Sequence, residues 1–252
     1  MSSWAVVTGA SGGLGEAYAH ELASQGSDVV LVARSVEALE KVAADLSSDH
    51  GVDTLVVPCD LSDADQRASL VARLDVLDVH TLVNNAGFAS IGMLGELERD
   101  RISREVALNV VALTELTHAV IPQMVARGRG AIINVASSAA FQPIPQMATY
   151  AATKSYVLSF SSALWGELSG TGVRVLCICP GPTETSFFTN AGNGDVMKQR
   201  RRPEQVVEST FKALRDSKPY VVDGFRNKVL AQMTRFLPTA ITVAAASWIA
   251  TH

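Results

Sequence analysis

The chain alternates between short apolar runs, largely β-branched, and longer stretches in which apolar and polar positions recur at helical spacing. The apolar runs fall at 4–8, 28–33, 53–57, 79–83, 131–135, 173–178 and 220–222. A helical pattern follows the first run to about Gly26, and others occupy 35–48, 63–74, 101–127, 149–168 and 203–216. Strands alternating with helices of this length predict βαβ units and a parallel sheet. The runs are apolar at nearly every position rather than at every second one, which fits strands covered on both faces. The pattern predicts an α/β fold: a Rossmann-like, doubly wound, mostly parallel sheet with helices on both faces, in three layers. In such a sheet crossovers are right-handed and ligands bind beyond the carboxyl ends of the strands.

No internal repeat, low-complexity segment or linker divides the 252 residues, so one domain spanning 1–252 is expected. Apolar residues make up 48% and charged residues 18%, with a formal net charge of −4. That balance excludes a disordered chain and an overall basic footprint for nucleic acid. The three cysteines, Cys59, Cys177 and Cys179, lack C-x-x-C spacing and read as buried thiols. Five scattered histidines imply no metal site, and acids such as Glu96, Glu98 and Asp100 read as solvated. No basic stretch precedes the first apolar residues, so no signal peptide is expected and the protein is placed in the cytoplasm. After Arg235 no side chain is formally charged, and 239–250 is largely apolar. That stretch is too short for a membrane span; core packing or an oligomer contact is expected, with a lipid-facing helix as the other reading.

Candidate chemistry begins where the first run meets Thr8-Gly9-Ala10-Ser11-Gly12-Gly13-Leu14-Gly15. Glycines there let the backbone turn sharply and approach a pyrophosphate, and the helix that follows offers unpaired N–H groups to its phosphates. The second run ends Leu31-Val32-Ala33-Arg34-Ser35. An acid at that point would bond a ribose 2′-hydroxyl; Arg34 and Ser35 instead suit a 2′-phosphate, so NADP(H) is expected in preference to NAD(H). Tyr150 and Lys154 lie four residues apart at the start of a helical stretch, hence on one face. A phenol is too weakly acidic to act as a base at neutral pH, but a neighbouring ammonium stabilises the phenolate. Ser137 precedes Tyr150 by 13 residues, at the end of the run 131–136.

Taken together, these residues resemble the short-chain dehydrogenase/reductase family. The matching motifs, in order, are Thr8-Gly9-(x3)-Gly13-x-Gly15, Asp60-Leu61, Asn84-Asn85-Ala86-Gly87, Asn109, Ser137, Tyr150-(x3)-Lys154 and Pro180-Gly181. They run from residue 4 to about 188, and the match weakens beyond about 190. The resemblance implies an oxidoreductase that interconverts a carbonyl and a secondary alcohol. Tyr150 would be the general acid or base, Lys154 would bond the nicotinamide ribose and depress the tyrosine pKa, and Ser137 would bond the substrate oxygen. Asn109 would hold a relay water. Ser11, Gly12 and Leu14 would join the glycines of the loop around the phosphates, and Asp60 and Leu61 would meet the adenine. Asn85, Ala86 and Gly87 would line the adenosine side, and Pro180, Gly181, Thr183 and Thr185 the carboxamide. Ser138, next to Ser137, remains open as the active serine. A homodimer or homotetramer is also implied.

Phe141 and Met147, between the serine and the tyrosine, are expected to face an apolar small-molecule pocket. Phe88, Phe187, Phe188 and Met197 would join them, under a lid at 183–203. The basic run Lys198–Arg202 either starts a solvated helix or attracts an acidic substrate. Two other readings stand beside this one. A nucleotide-sugar epimerase or dehydratase generally has a different glycine spacing and a longer substrate domain, and neither is present. A dinucleotide sensor without turnover would not need the serine, tyrosine and lysine so placed.

Overall fold

The computed structural model describes residues 3–185, 200–234 and 236–251. All seven expected strands form: β1 Trp4–Thr8, β2 Asp28–Ala33, β3 Thr54–Pro58, β4 Val79–Asn84, β5 Gly130–Val135, β6 Val173–Cys179 and β7 Tyr220–Val222. They make one sheet in the order β3-β2-β1-β4-β5-β6-β7. Every pairing is parallel, where the sequence pattern predicted a mostly parallel sheet. Sequential neighbours run outward from β1 in both directions, so the chain reverses its course between β1 and β4, and a crevice opens there.

The continuous apolar runs are explained by alternation into two cores. Ala5, Val7, Leu31, Val83 and Ile133 point to one face, beneath the helices α1 (Gly13–Ser24), α2 (Val36–His50) and α7 (Pro203–Arg215). Val6, Val30, Val32, Leu82 and Ile132 point to the other, beneath α3 (Ala64–Leu74), α5 (Leu113–Ala126) and α6 (Ala148–Glu167). Burying both sets is worth about 1.5–3 kcal/mol per large side chain.

The single helix expected over 101–127 is interrupted. α4 (Arg99–Val106) passes into a π-helical segment, Ala107–Ala112, before α5 continues. The wide turn holds Asn109, and π-bulges of this kind are frequent at functional sites. Two short helices end the chain, α8 (Phe225–Met233) and α9 (Thr239–Thr251). Of the tail, Thr242 and Ala246 are buried while Ile241 is exposed. No helix among the described residues is long and apolar enough to cross a membrane.

Candidate active site

The crevice begins at the carboxyl ends of β1 and β4, which Thr8 ties together. Its hydroxyl accepts from the backbone N–H groups of Asn85 and Ala86, both at 3.0 Å, and Asn85 Nδ2 returns a bond to the Thr8 carbonyl at 3.0 Å. Gly9 and Gly13 have φ of +67° and +58°, which favours glycine. A Cβ on Gly9 would meet Asn85 Nδ2 at 2.8 Å, and one on Gly15 would run into the Gly9 carbonyl oxygen. Helix α1 starts after Gly12, which has no side chain to cap the first N–H groups. An open helix N-terminus lined by side-chain-free backbone fits a dinucleotide pyrophosphate.

From this loop a cleft of about 870 Å³ extends across the sheet edge. Gly9, Ser11, Gly12, Gly13 and Leu14 form one wall, and Asn85, Ala86 and Gly87 border them; Ser137, Tyr150, Lys154, Pro180, Gly181, Thr183 and Thr185 lie further in. Phe141 and Met147 line it as expected, with Phe88 and Ile144. Phe187, Phe188 and Met197 lie outside the described residues, as does most of the expected lid. Its described ends are joined: Thr183 bridges to Arg201, and Arg201 Nε pairs with buried Asp223 at 2.6 Å.

Ser137, Tyr150 and Lys154 converge. Ser137 lies two residues beyond β5, capping a 3-10 turn, and hydrogen-bonds the Tyr150 phenol. Ser138, by contrast, starts a 3-10 turn, and its N–H donates to the Pro180 carbonyl at 2.7 Å. Lys154, one helical turn after Tyr150, is buried and donates from Nζ to the Val135 carbonyl at 2.8 Å. Burial pushes the Tyr150 phenol up to about 12, opposed by the Ser137 hydrogen bond and reinforced by Glu105. Burial likewise brings the Lys154 ammonium down to about 8. Gly87 makes room for both neighbours: a Cβ there would stand 2.9 Å from Asn109 Oδ1 and 3.4 Å from Lys154 Nζ.

Asn109 is fixed from three sides. Its Nδ2 donates to the Phe88 carbonyl at 2.9 Å and to Thr153 Oγ1 at 3.1 Å, and its Oδ1 accepts from the Phe88 N–H at 3.2 Å. Since Thr153 in turn donates to the Tyr150 carbonyl, the π-helical turn and the Tyr150–Lys154 face of α6 are one hydrogen-bonded unit.

Of the residues assigned to the adenosine end, Asn85, Ala86 and Gly87 line this cleft, whereas Arg34, Ser35, Asp60 and Leu61 are not part of its lining. Arg34 is exposed after β2. Ser35 serves as N-cap of α2, accepting from the Ala38 N–H at 3.3 Å, a local role the sequence reading did not assign. Burial opposes ionisation of Asp60, but Ser62, Arg104 and Arg34 outweigh it and hold the carboxyl below its ordinary range. Arg104 Nη2 stands 2.9 Å from Asp60 Oδ2. The Leu61 side chain is packed into the core beneath α3, and its carbonyl accepts from Arg67 Nη1 at 3.1 Å.

Three features escaped the sequence reading. Helix α8 lines the cleft through Arg226, Asn227, Leu230 and Ala231, and Asn227 sits against Gly181. Glu105 is fully buried beside Ser90, and burial pushes its carboxyl up while Ser90, Arg101 and Lys154 oppose that shift. Asn84, Asn134, Thr117 and Ser161 form a buried polar chain beneath the site, with bonds of 2.9 Å.

The family model for short chain dehydrogenases matches residues 3–195. The chain belongs to the short-chain dehydrogenase family. Among its relatives in this family is the very-long-chain 3-oxoacyl-CoA reductase of Laccaria bicolor, 41% identical over 177 residues, covering 69% of this chain and 52% of that protein. Another is the human inactive hydroxysteroid dehydrogenase-like protein 1, 36% identical over 187 residues, covering 73% of this chain and 57% of the relative. The chain thus spans little more than half the length of these curated relatives. A solved short-chain dehydrogenase from Sphingobium yanoikuyae in complex with NADPH superimposes with a TM-score of 0.86 at 32% identity, covering 94% of each chain. This short-chain dehydrogenase therefore has a nicotinamide-dinucleotide fold, in agreement with the open glycine cradle.

Proposed function

We propose that the protein is an NADP(H)-dependent oxidoreductase that interconverts a carbonyl and a secondary alcohol on a fairly apolar small molecule. The observation that carries this reading is the meeting of Ser137, Tyr150 and Lys154 at the floor of a cleft whose other end is the glycine cradle. A bound reduced nicotinamide supplies hydride. The loop Gly9–Gly15 and the start of α1 would hold its pyrophosphate, Lys154 its ribose, and Pro180, Gly181, Thr183 and Thr185 its carboxamide.

With its pKa pushed up, Tyr150 carries its proton at neutral pH, the state needed to protonate a carbonyl oxygen as hydride arrives. Ser137 Oγ, already bonded to the phenol, is placed to share that oxygen and steady its developing charge. Ser138 also lines the cleft, but the bond to the phenol favours Ser137. Lys154, held on Val135, stabilises the phenolate left behind, and Asn109 orders the π-helical turn through which a water can return the proton. Phe88, Phe141, Ile144 and Met147 exclude water from the carbonyl. Arg34 supplies the charge that selects the 2′-phosphate, and a homodimer or homotetramer is the assembly that family resemblance favours.

The relative named inactive supports a second reading, a dinucleotide sensor without turnover. One experiment separates the two: oxidation of NADPH and NADH by the purified chain over aldehydes, ketones, steroids and acyl thioesters. Turnover that favours NADPH is expected. Tight NADPH binding with no turnover on the whole panel would favour the sensor.

A further inference from the structure

Among the described residues, a run of large apolar side chains left in water falls in one short stretch of the chain. Phe225 is 82% exposed, Phe236 88% and Leu230 58%, and Met233, Leu237 and Ile241 are exposed too. All six fall within residues 225–241. Single exposed apolar groups are ordinary, but a contiguous set marks a surface that something covers.

The charge of this region is equally uneven. From Gly224 to the end the sequence contains Arg226, Lys228 and Arg235 and not one Asp or Glu. The segment carries +3 within a chain of −4, which leaves −7 on residues 1–223. Apolar residues interleaved with cations only, on short helices, is the composition of a segment that lies in the interface of an acidic bilayer. A second copy is a poorer occupant. A two-fold contact brings the same patch against itself, and from Gly224 onward the sequence supplies cations but no Asp or Glu to complement them.

Position completes the argument. Helix α8 lines the cleft with Asn227, Leu230 and Ala231, and Leu230 reaches both the cleft and solvent. Two of the exposed set, Phe225 and Leu230, therefore stand at the cleft wall, and the other four follow within eleven residues of Leu230. α9, at 13 residues, is too short to cross a bilayer and long enough to lie on one.

We propose that residues 225–241 dock the protein on an anionic membrane surface, with the mouth of the cleft turned to the lipid. Docking of this kind does not depend on which reaction the cleft carries out. The test is sedimentation of the full chain with vesicles of phosphatidylcholine alone and of phosphatidylcholine mixed with phosphatidylserine. Binding is expected to the mixed vesicles, to weaken as salt rises, and to weaken in Lys228→Glu. The pair Met233→Ser and Phe236→Ser, both at exposed positions, is expected to lower binding at least about tenfold. Circular dichroism would verify that the variants fold; should the pair fail to do so, Lys228→Glu and the salt series decide the matter. Absence of binding to phosphatidylserine vesicles would overturn the proposal, as would binding indifferent to salt and to all three substitutions. A dimer that the same substitutions dissociate, with no vesicle binding, would assign the face to a second copy instead.

Discussion

Lys154 Nζ stands 5.8 Å from the centre of the Tyr150 ring, tethered to the Val135 carbonyl rather than to the phenol itself. The ammonium thus lies near the ring from a fixed point on β5, while Ser137 makes the direct contact with the phenol; the expected depression of the tyrosine pKa gives way to burial, which raises it. Removing the phenol oxygen should then abolish proton transfer and leave the binding surfaces standing. Tyr150→Phe is expected to lower kcat by about 10²–10⁴-fold. Dinucleotide affinity, read by fluorescence titration, should stay near that of the parent. A variant that turns over at the parent rate would remove Tyr150 from the mechanism.

Burial of Lys154 also sets a pH dependence of stability. Its pKa falls from 10.5 to about 8 on folding, so between these values the unfolded chain holds a proton that the folded chain has released. Stability from this group therefore rises with pH across that window, and the cost of burying the charge is greatest below about 8. Lys154→Met, without dinucleotide, is expected to be more stable at pH 7 by on the order of 1–3 kcal/mol. The gain should shrink in thermal melts as pH is raised toward 10.5. A gain that does not vary with pH would show that packing, not charge, governs the position.

Arg34 is exposed, next to the cap of α2 and close enough to Asp60 to lower that carboxyl. Its guanidinium is available to a 2′-phosphate at the end of β2. Arg34→Ala should reduce kcat/KM for NADPH by about 10–100-fold, the worth of a charge-assisted hydrogen bond. The value for NADH should change little. Equal losses with both dinucleotides would reject the selectivity role.

Glu105 raises the Tyr150 pKa, and its own pKa is raised by burial. The strain of holding this carboxylate is absent below the pKa of an exposed glutamate and grows as pH rises through the elevated one. Glu105→Gln should accordingly raise Tm at pH 7, with the difference vanishing toward pH 4. The same change removes a charge that disfavours phenolate, so the basic limb associated with Tyr150 should move to lower pH. Stability that drops at neutral pH would mean the carboxylate is needed where it stands.

The motifs nearest in sequence were the most legible. Residues 4–15 show their strand, turn and helix start because a β-run, glycines at left-handed positions and a helical period are all local properties of the backbone. Tyr150 and Lys154 declare a shared face for the same reason, since four residues make about one helical turn. Ser137 is legible as a residue just beyond a strand end; Ser138 beside it lines the same cleft, and what distinguishes Ser137 is the hydrogen bond of its side chain to the Tyr150 phenol, a tertiary contact.

What sequence alone determined is the order of strands and helices, the phosphate cradle and the tyrosine–lysine face, each set by spacings of a few residues. Only the tertiary structure decided that α8 returns to line the cleft, that Glu105 is buried, that Ser35 caps a helix and that Asn109 sits in a π turn. Asn227 meets Gly181 at a sequence separation of 46, and Asn109 meets Thr153 at one of 44. Such contacts depend on how separate elements pack against one sheet. No local periodicity encodes that packing, because its energy comes from surfaces that first meet when the chain has folded.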